Sequence, residues 1–167
     1  EMFERDVAPI SREEYRRQRD YYTPLHEAAW YGKQDTLEKL LDLDRYSRGK
    51  EGRLRPDCDG KTALHLLVEA GHKDRRRKHL SHLVDLLLWA NDEASTRVKN
   101  AMLDLRTSNA VEPKSQANCT PLELAVASGQ FPMELAYKLV RSETALDGLL
   151  TLTKLSMSAT EDLASKL

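Results

Sequence analysis

The sequence predicts an all-α fold, a solenoid of stacked helix-turn-helix units with short or irregular connections and helical end caps. Three observations carry that reading. Three segments align without gaps: TPLHEAAWYG (Thr23–Gly32), TALHLLVEAG (Thr62–Gly71) and TPLELAVASG (Thr120–Gly129). Each is followed by larger apolar residues at helical spacing: Leu37, Leu40 and Leu41, then Leu80, Leu83, Val84, Leu87 and Leu88, then Leu135, Leu139 and Val140. No single helix pair can bury such a face alone, so the pairs must stack.

Asp57-Cys58-Asp59-Gly60-Lys61 adds DxxG before the second segment, and His72 completes GH after it. With these additions the segments resemble the ankyrin repeat, whose unit runs DxxGxTPLHLAAxxGHxxVVxLLL. The resemblance implies inner and outer helices joined by fingers between repeats. It also implies a module that binds other proteins along a concave face and performs no chemistry itself.

The local physics of each element agrees. Thr followed by Pro opens a helix well, because the hydroxyl caps free N–H groups and Pro in the first turn has no N–H to leave unpaired. Leu25, Ala28 and Ala29 form a narrow apolar stripe whose small residues admit close neighbours. Gly32, Gly71 and Gly129 suit left-handed helix ends. Thr23 to Thr62 spans 39 residues, against a family period of about 33. The excess falls in the finger DRYSRGKEGRLRP. Thr62 to Thr120 spans 58. Part of that excess predicts a lengthened outer helix from near Asp74 to about Ala90. The rest predicts a short extra helix carrying Ala94, Val98, Ala101, Met102 and Leu105, then a loose segment, TSNAVEPKSQA. The expected divisions are a capping segment at 1–20 and repeats at 21–57, 58–117 (with an insertion at 90–117) and 118–142. A helical cap or degenerate repeat follows at 143–167. Ser11-Arg12-Glu13-Glu14 and Ser158-Ala159-Thr160-Glu161 read as capping boxes opening the terminal helices.

A length of 167 residues allows one domain with a real core. A formal charge of −1 gives no global attraction to nucleic acid or acidic membrane. No apolar run approaches the roughly 20 residues of a membrane helix. The chain opens on Glu1, so we expect a piece of a longer protein. Cys58 and Cys119 form neither CxxC nor a disulfide framework, which points to a reducing compartment, cytoplasmic or nuclear. No nucleophile turn and no phosphate-binding glycine loop appears, so no catalytic residue, cofactor or small-molecule substrate is expected. His79 and His82, with His72 nearby, are read as surface histidines rather than zinc ligands, since sequence places no third ligand and the flanking Arg77 and Lys78 repel a cation. In the resemblance, His26 and His65 tie adjacent repeats, a tie that Glu123 puts in doubt at the third.

The expected function is non-catalytic binding of a partner protein or peptide, as a scaffold or targeting part of a larger chain, by a monomer. The resemblance places the partner-facing positions just before each Thr and just before each Gly. From these and the basic finger, the binding residues are Arg19, Asp20, Tyr22, Trp30, Tyr31, Arg48, Lys50, Asp59, Lys61 and Glu69. Trp and Tyr dominate binding hot spots, and they sit beside the cluster Arg45, Arg48, Lys50, Arg53 and Arg55. An acidic ligand with an apolar anchor is therefore expected. Tyr21 stands where the family has a turn glycine and is assigned to packing against the N-terminal cap. An alternative is a regulatory domain packing on a catalytic or channel part of the same parent chain. A lesser one is anion binding, by nucleic acid or phospholipid, through the basic finger and the Lys73–Lys78 cluster. Both ligands are disfavoured, because the two clusters should lie at opposite ends of the helices.

Overall fold

The computed structural model describes residues 22–43, 52–71, 77–112, 114–129 and 131–140. In chain order these form α1 (Pro24–Tyr31), α2 (Gln34–Leu41), α3 (Ala63–Ala70), α4 (Arg77–Leu87), α5 (Glu93–Asp104), a 3₁₀ turn (Lys114–Gln116), α6 (Pro121–Ser128) and a 3₁₀ helix (Met133–Leu139). There is no strand among the described residues. The inner helices stack α1 on α3 on α6, and the outer ones α2 on α4 on the 3₁₀ helix. The terminal caps (1–20 and 143–167), the finger residues 44–51 and residues 72–76 lie outside the described residues.

Each inner helix starts and stops by the same local chemistry. Thr23, Thr62 and Thr120 hold extended backbone as N-caps, and the residue three positions on bonds back to the cap's own N–H. In α1 and α3 that residue is a histidine: Thr23 N donates to His26 Nδ1 (3.1 Å) and Thr62 N to His65 Nδ1 (3.2 Å). With Nδ1 accepting, the neutral imidazole carries its proton on Nε2. That nitrogen donates across the repeat boundary, from His26 to Lys61 O (3.1 Å) and from His65 to Cys119 O (3.2 Å). Gly32 ends α1 at φ 62°, a left-handed conformation in which a Cβ is crowded.

The core follows from the stacking. Ala28, Ala29 and Ala63 are buried between α1 and α3, where larger side chains would force the helices apart. In α4, Leu80, Leu83, Val84 and Leu87 recur at i, i+3, i+4 and i+7 and are fully buried. They join Leu37 of α2 and Leu139 of the 3₁₀ helix in one cluster with the inner-helix leucines. Truncating one such leucine to Ala costs about 2–5 kcal/mol.

The structure departs from the sequence reading in three places. The outer helix of the second repeat ends at Leu87 rather than near Ala90, and its described part begins at Arg77. Its end is fixed by Arg53, which the sequence reading placed in a solvated basic finger. Arg53 is 2% exposed, and its Nη1 donates to Leu87 O (2.9 Å) and Trp89 O (2.7 Å). A helix terminus leaves such carbonyls without intrahelical partners, and a cation is favoured there.

The extra helix exists as α5, capped by Asp92, whose carboxylate accepts from Ser95 N (2.7 Å). The segment after it is not loose. Thr107 N donates to Cys119 O (2.9 Å), Cys119 N to Thr107 Oγ1 (2.9 Å) and Thr107 Oγ1 to Gln116 O (2.7 Å). Ser108 N donates to Asp59 O (2.7 Å), which binds the insertion to the preceding finger. That finger is a tight turn: Asp57 Oδ1 accepts from Asp59 N and Lys61 N (both 2.9 Å). Gly60 closes it at φ 74°, where a Cβ would sit 2.8 Å from Ser108 N. The DxxG motif thus supplies both the turn and the room for the insertion to pass.

The third repeat resolves the question raised by Glu123. Its carboxylate replaces the histidine ring in the capping box, accepting from Thr120 N (2.9 Å). Arg106, from the insertion, pairs with both oxygens (2.8 and 3.1 Å) and also donates to Asn118 O (2.7 Å).

Candidate protein-binding face

Tyr22 immediately precedes the cap of α1, and Trp30 and Tyr31 occupy its last turn. The core stripe of Leu25, His26, Ala28 and Ala29 faces inward, so these three rings fall outside it. They are 38%, 38% and 50% exposed, far more than any residue of that stripe. The Tyr22 ring stacks on the His26 imidazole at 5.5 Å between centroids. Burial raises the Tyr22 phenol to about 12, with the charges of Glu27, Tyr31 and Asp57 adding to the effect. Tyr22 therefore stays a neutral hydrogen-bond donor and acceptor. Lys33 Nζ stands 5.3 Å from the Tyr31 centroid, a cation over a ring face, and lies 4.0 Å from the Glu27 carboxylate.

The other expected binding residues divide. Asp59 is exposed at the tip of the finger turn, where its N–H donates to Asp57 Oδ1. Lys61 is buried rather than presented to a partner: its side chain is 8% exposed and its Nζ donates to Glu69 at 2.7 Å. The pair leaves part of the Glu69 carboxylate at the surface. Arg19, Asp20, Arg48 and Lys50 lie outside the described residues. The described charges near the rings are thus Glu27 and Asp57 beside Tyr22, Lys33 over Tyr31, and Arg55, whose charge acts on the His26 ring under Tyr22, while Arg53 is withdrawn into the interior.

His82 Nε2 lies 3.1 Å from Glu38 Oε1, joining α4 to α2, and no group of three metal-ligating side chains gathers among the described residues. None of the described helices is long and apolar enough to cross a membrane. Sequence reasoning missed Arg53 and Trp89. Trp89 is 55% exposed just past the end of α4. A tryptophan directly after an apolar helical run was the available signal. It was hidden by the expectation that the helix continues to Ala90.

The profile of the Ankyrin repeat family matches residues 20–46, which span α1 and α2. No curated protein and no solved structure shows a significant match to the chain. That match lies on the first unit, and the same Thr-capped, Gly-ended inner helix is stacked twice more behind it, which together support an ankyrin-repeat protein.

Proposed function

We propose that the protein binds a partner protein or peptide on the face formed by the inner helices and the finger turns, with Tyr22, Trp30 and Tyr31 as anchors. Ankyrin repeats generally mediate protein–protein interaction, and the module is non-catalytic. The observation that carries the finer reading is the exposure of three aromatic rings along one unit, Tyr22 just before the start of α1 and Trp30 and Tyr31 in its last turn. Large rigid rings bury much area at small cost in side-chain entropy. The described rim has mixed charge, so the apolar anchor supports this reading, and the sign of the ligand's charge does not. The two thiols form no disulfide, which suits a cytoplasmic or nuclear site of action.

The test is a quantitative pull-down from cell extract with the wild type and a Trp30→Ala/Tyr31→Ala variant side by side, followed by affinity measurement on the retained partner. Loss of about 2–4 kcal/mol, roughly 30- to 1,000-fold, is expected for a pair of hot-spot rings. Unchanged affinity in a variant with the wild-type unfolding midpoint places the binding site elsewhere.

A further inference from the structure

A groove of about 390 Å³ opens where the ends of α2 and α4 meet the start of α5, among the outer helices rather than on the aromatic end of α1. Leu41, Leu86 and the exposed Trp89 make its apolar wall. Glu38, Asp42 and Asp92 bring three carboxylates to it, and Arg53 is the one cation among its described lining residues. Hydrogen bonds from Gln34 and then His82 hold Glu38 below the ordinary carboxylate range, so it is ionised at neutral pH.

Two further features make this a place for positive charge. Helices α2 and α4 both end here, Asp42 being the C-cap of α2 and Leu87 the last residue of α4, and helix C-termini carry partial negative charge; the opposite partial charge at the start of α5 is met by its cap Asp92. The protein itself seats a cation at the spot, since the buried Arg53 guanidinium is anchored on Leu87 O and Trp89 O. Among the described lining residues, three carboxylates stand against that single guanidinium, a net negative balance. The indole of Trp89 adds a ring of the type that best attracts a cation.

We propose that this groove receives a basic side chain, lysine or arginine, from a partner polypeptide. The aliphatic stem lies along Leu41, Leu86 and Trp89, and the charged head sits among the carboxylates. The volume falls within the roughly 300–1,000 Å³ of sites that hold drug-sized ligands. That is more than a lone amine fills, so residues flanking the basic one also find room.

The test uses the whole 167-residue chain and a fluorescein-labelled hexapeptide, Ala-Ala-Lys-Arg-Ala-Ala, read by fluorescence anisotropy. Saturable binding is expected, weakening as salt rises and absent for the same peptide with Gln in place of Lys and Arg. Glu38→Gln with Asp42→Asn should weaken it at least tenfold, and Trp89→Ala at least fivefold. Glutamine keeps an acceptor oxygen for Gln34 and His82, and Asp42 is exposed, so the double variant should stay folded, which its urea midpoint checks. Tyr137→Ala, which removes an equally exposed ring away from the groove, should bind as wild type does. No binding by the wild type overturns the proposal, as does binding that survives both the charge and the Trp89 substitutions. Tenfold tighter binding in Arg45→Ala/Arg48→Ala/Lys50→Ala would assign the groove to the chain's own basic segment and overturn it equally.

Discussion

Lowering the pH from 7 to 5 attacks the repeat boundaries through His65. The ring is fully buried and both its nitrogens are committed, Nδ1 accepting from Thr62 N and Nε2 donating to Cys119 O. A second proton would have to enter at Nδ1, facing the Thr62 N–H. Burial therefore lowers the pKa from 6.5 to about 4, against the opposing pull of the Cys119 carbonyl. The unfolded chain takes up its proton near 6.5, so between 6.5 and about 4 the unfolded state binds more protons and stability is lost as the pH is lowered. At about 1.4 kcal/mol per pH unit, this one group accounts for about 2 kcal/mol between pH 7 and pH 5. His26 is shifted the same way by burial and adds to the loss. Asp57 is raised by burial and works in the opposite direction, its folded form preferring the proton. The assay is urea unfolding followed by circular dichroism at pH 7, 6 and 5, for the wild type and His65→Gln. Glutamine keeps an acceptor and a donor but does not titrate here. The variant should be less stable at pH 7, and its further loss down to pH 5 should be smaller than the wild type's by about 2 kcal/mol. Equal slopes in the two proteins would show that His65 is not the group being titrated, and the argument from its buried hydrogen bonds would fail.

Two other substitutions follow from the geometry. Arg53→Ala leaves the Leu87 and Trp89 carbonyls without their buried donor and should cost about 2–4 kcal/mol, read as a lower urea midpoint. A shift below about 0.5 kcal/mol would mean that the end of α4 does not depend on it. Gly60→Ala adds a Cβ 2.8 Å from Ser108 N at positive φ, whereas Gly129→Ala, also at positive φ, meets nothing within 4 Å. The first should therefore destabilise by about 1–3 kcal/mol and exceed the second by about 1 kcal/mol or more. Equal losses would show that the insertion does not press on the finger.

The stacking was legible because its determinants are local and repeated. A Thr cap, a partner three residues on, an apolar stripe and a terminal Gly lie within ten residues, and each copy checks the others. The long-range joints were not legible, because each depends on groups brought together only by folding. Arg53 sits in a basic run, where a charge reads as solvated, and nothing near it announces two helix-end carbonyls 34 and 36 residues away. Lys61 precedes a Thr in the partner-facing register, yet Glu69, eight residues on, draws it inward. Thr107 and Ser108 look like linker residues until Cys119 and Asp59 supply their partners.

One signal within the repeats themselves bears on the aromatic face. Glu27 stands where the other two units have Leu66 and Leu124, both buried. Its side chain is 55% exposed. A charge at the position where interior units bury a leucine is the polar outer side that an end unit needs. It cannot be covered by a further unit of the same pattern without desolvating a carboxylate. Tyr22, Trp30 and Tyr31 therefore belong to the same unit as a charge that disfavours continued stacking. Tyr22 is held by His26 and Tyr31 lies under Lys33, which limits the freedom either loses on contact. Rings partly fixed in advance, beside a charge that a further unit of the same pattern would have to desolvate, support the proposed docking of a different kind of polypeptide.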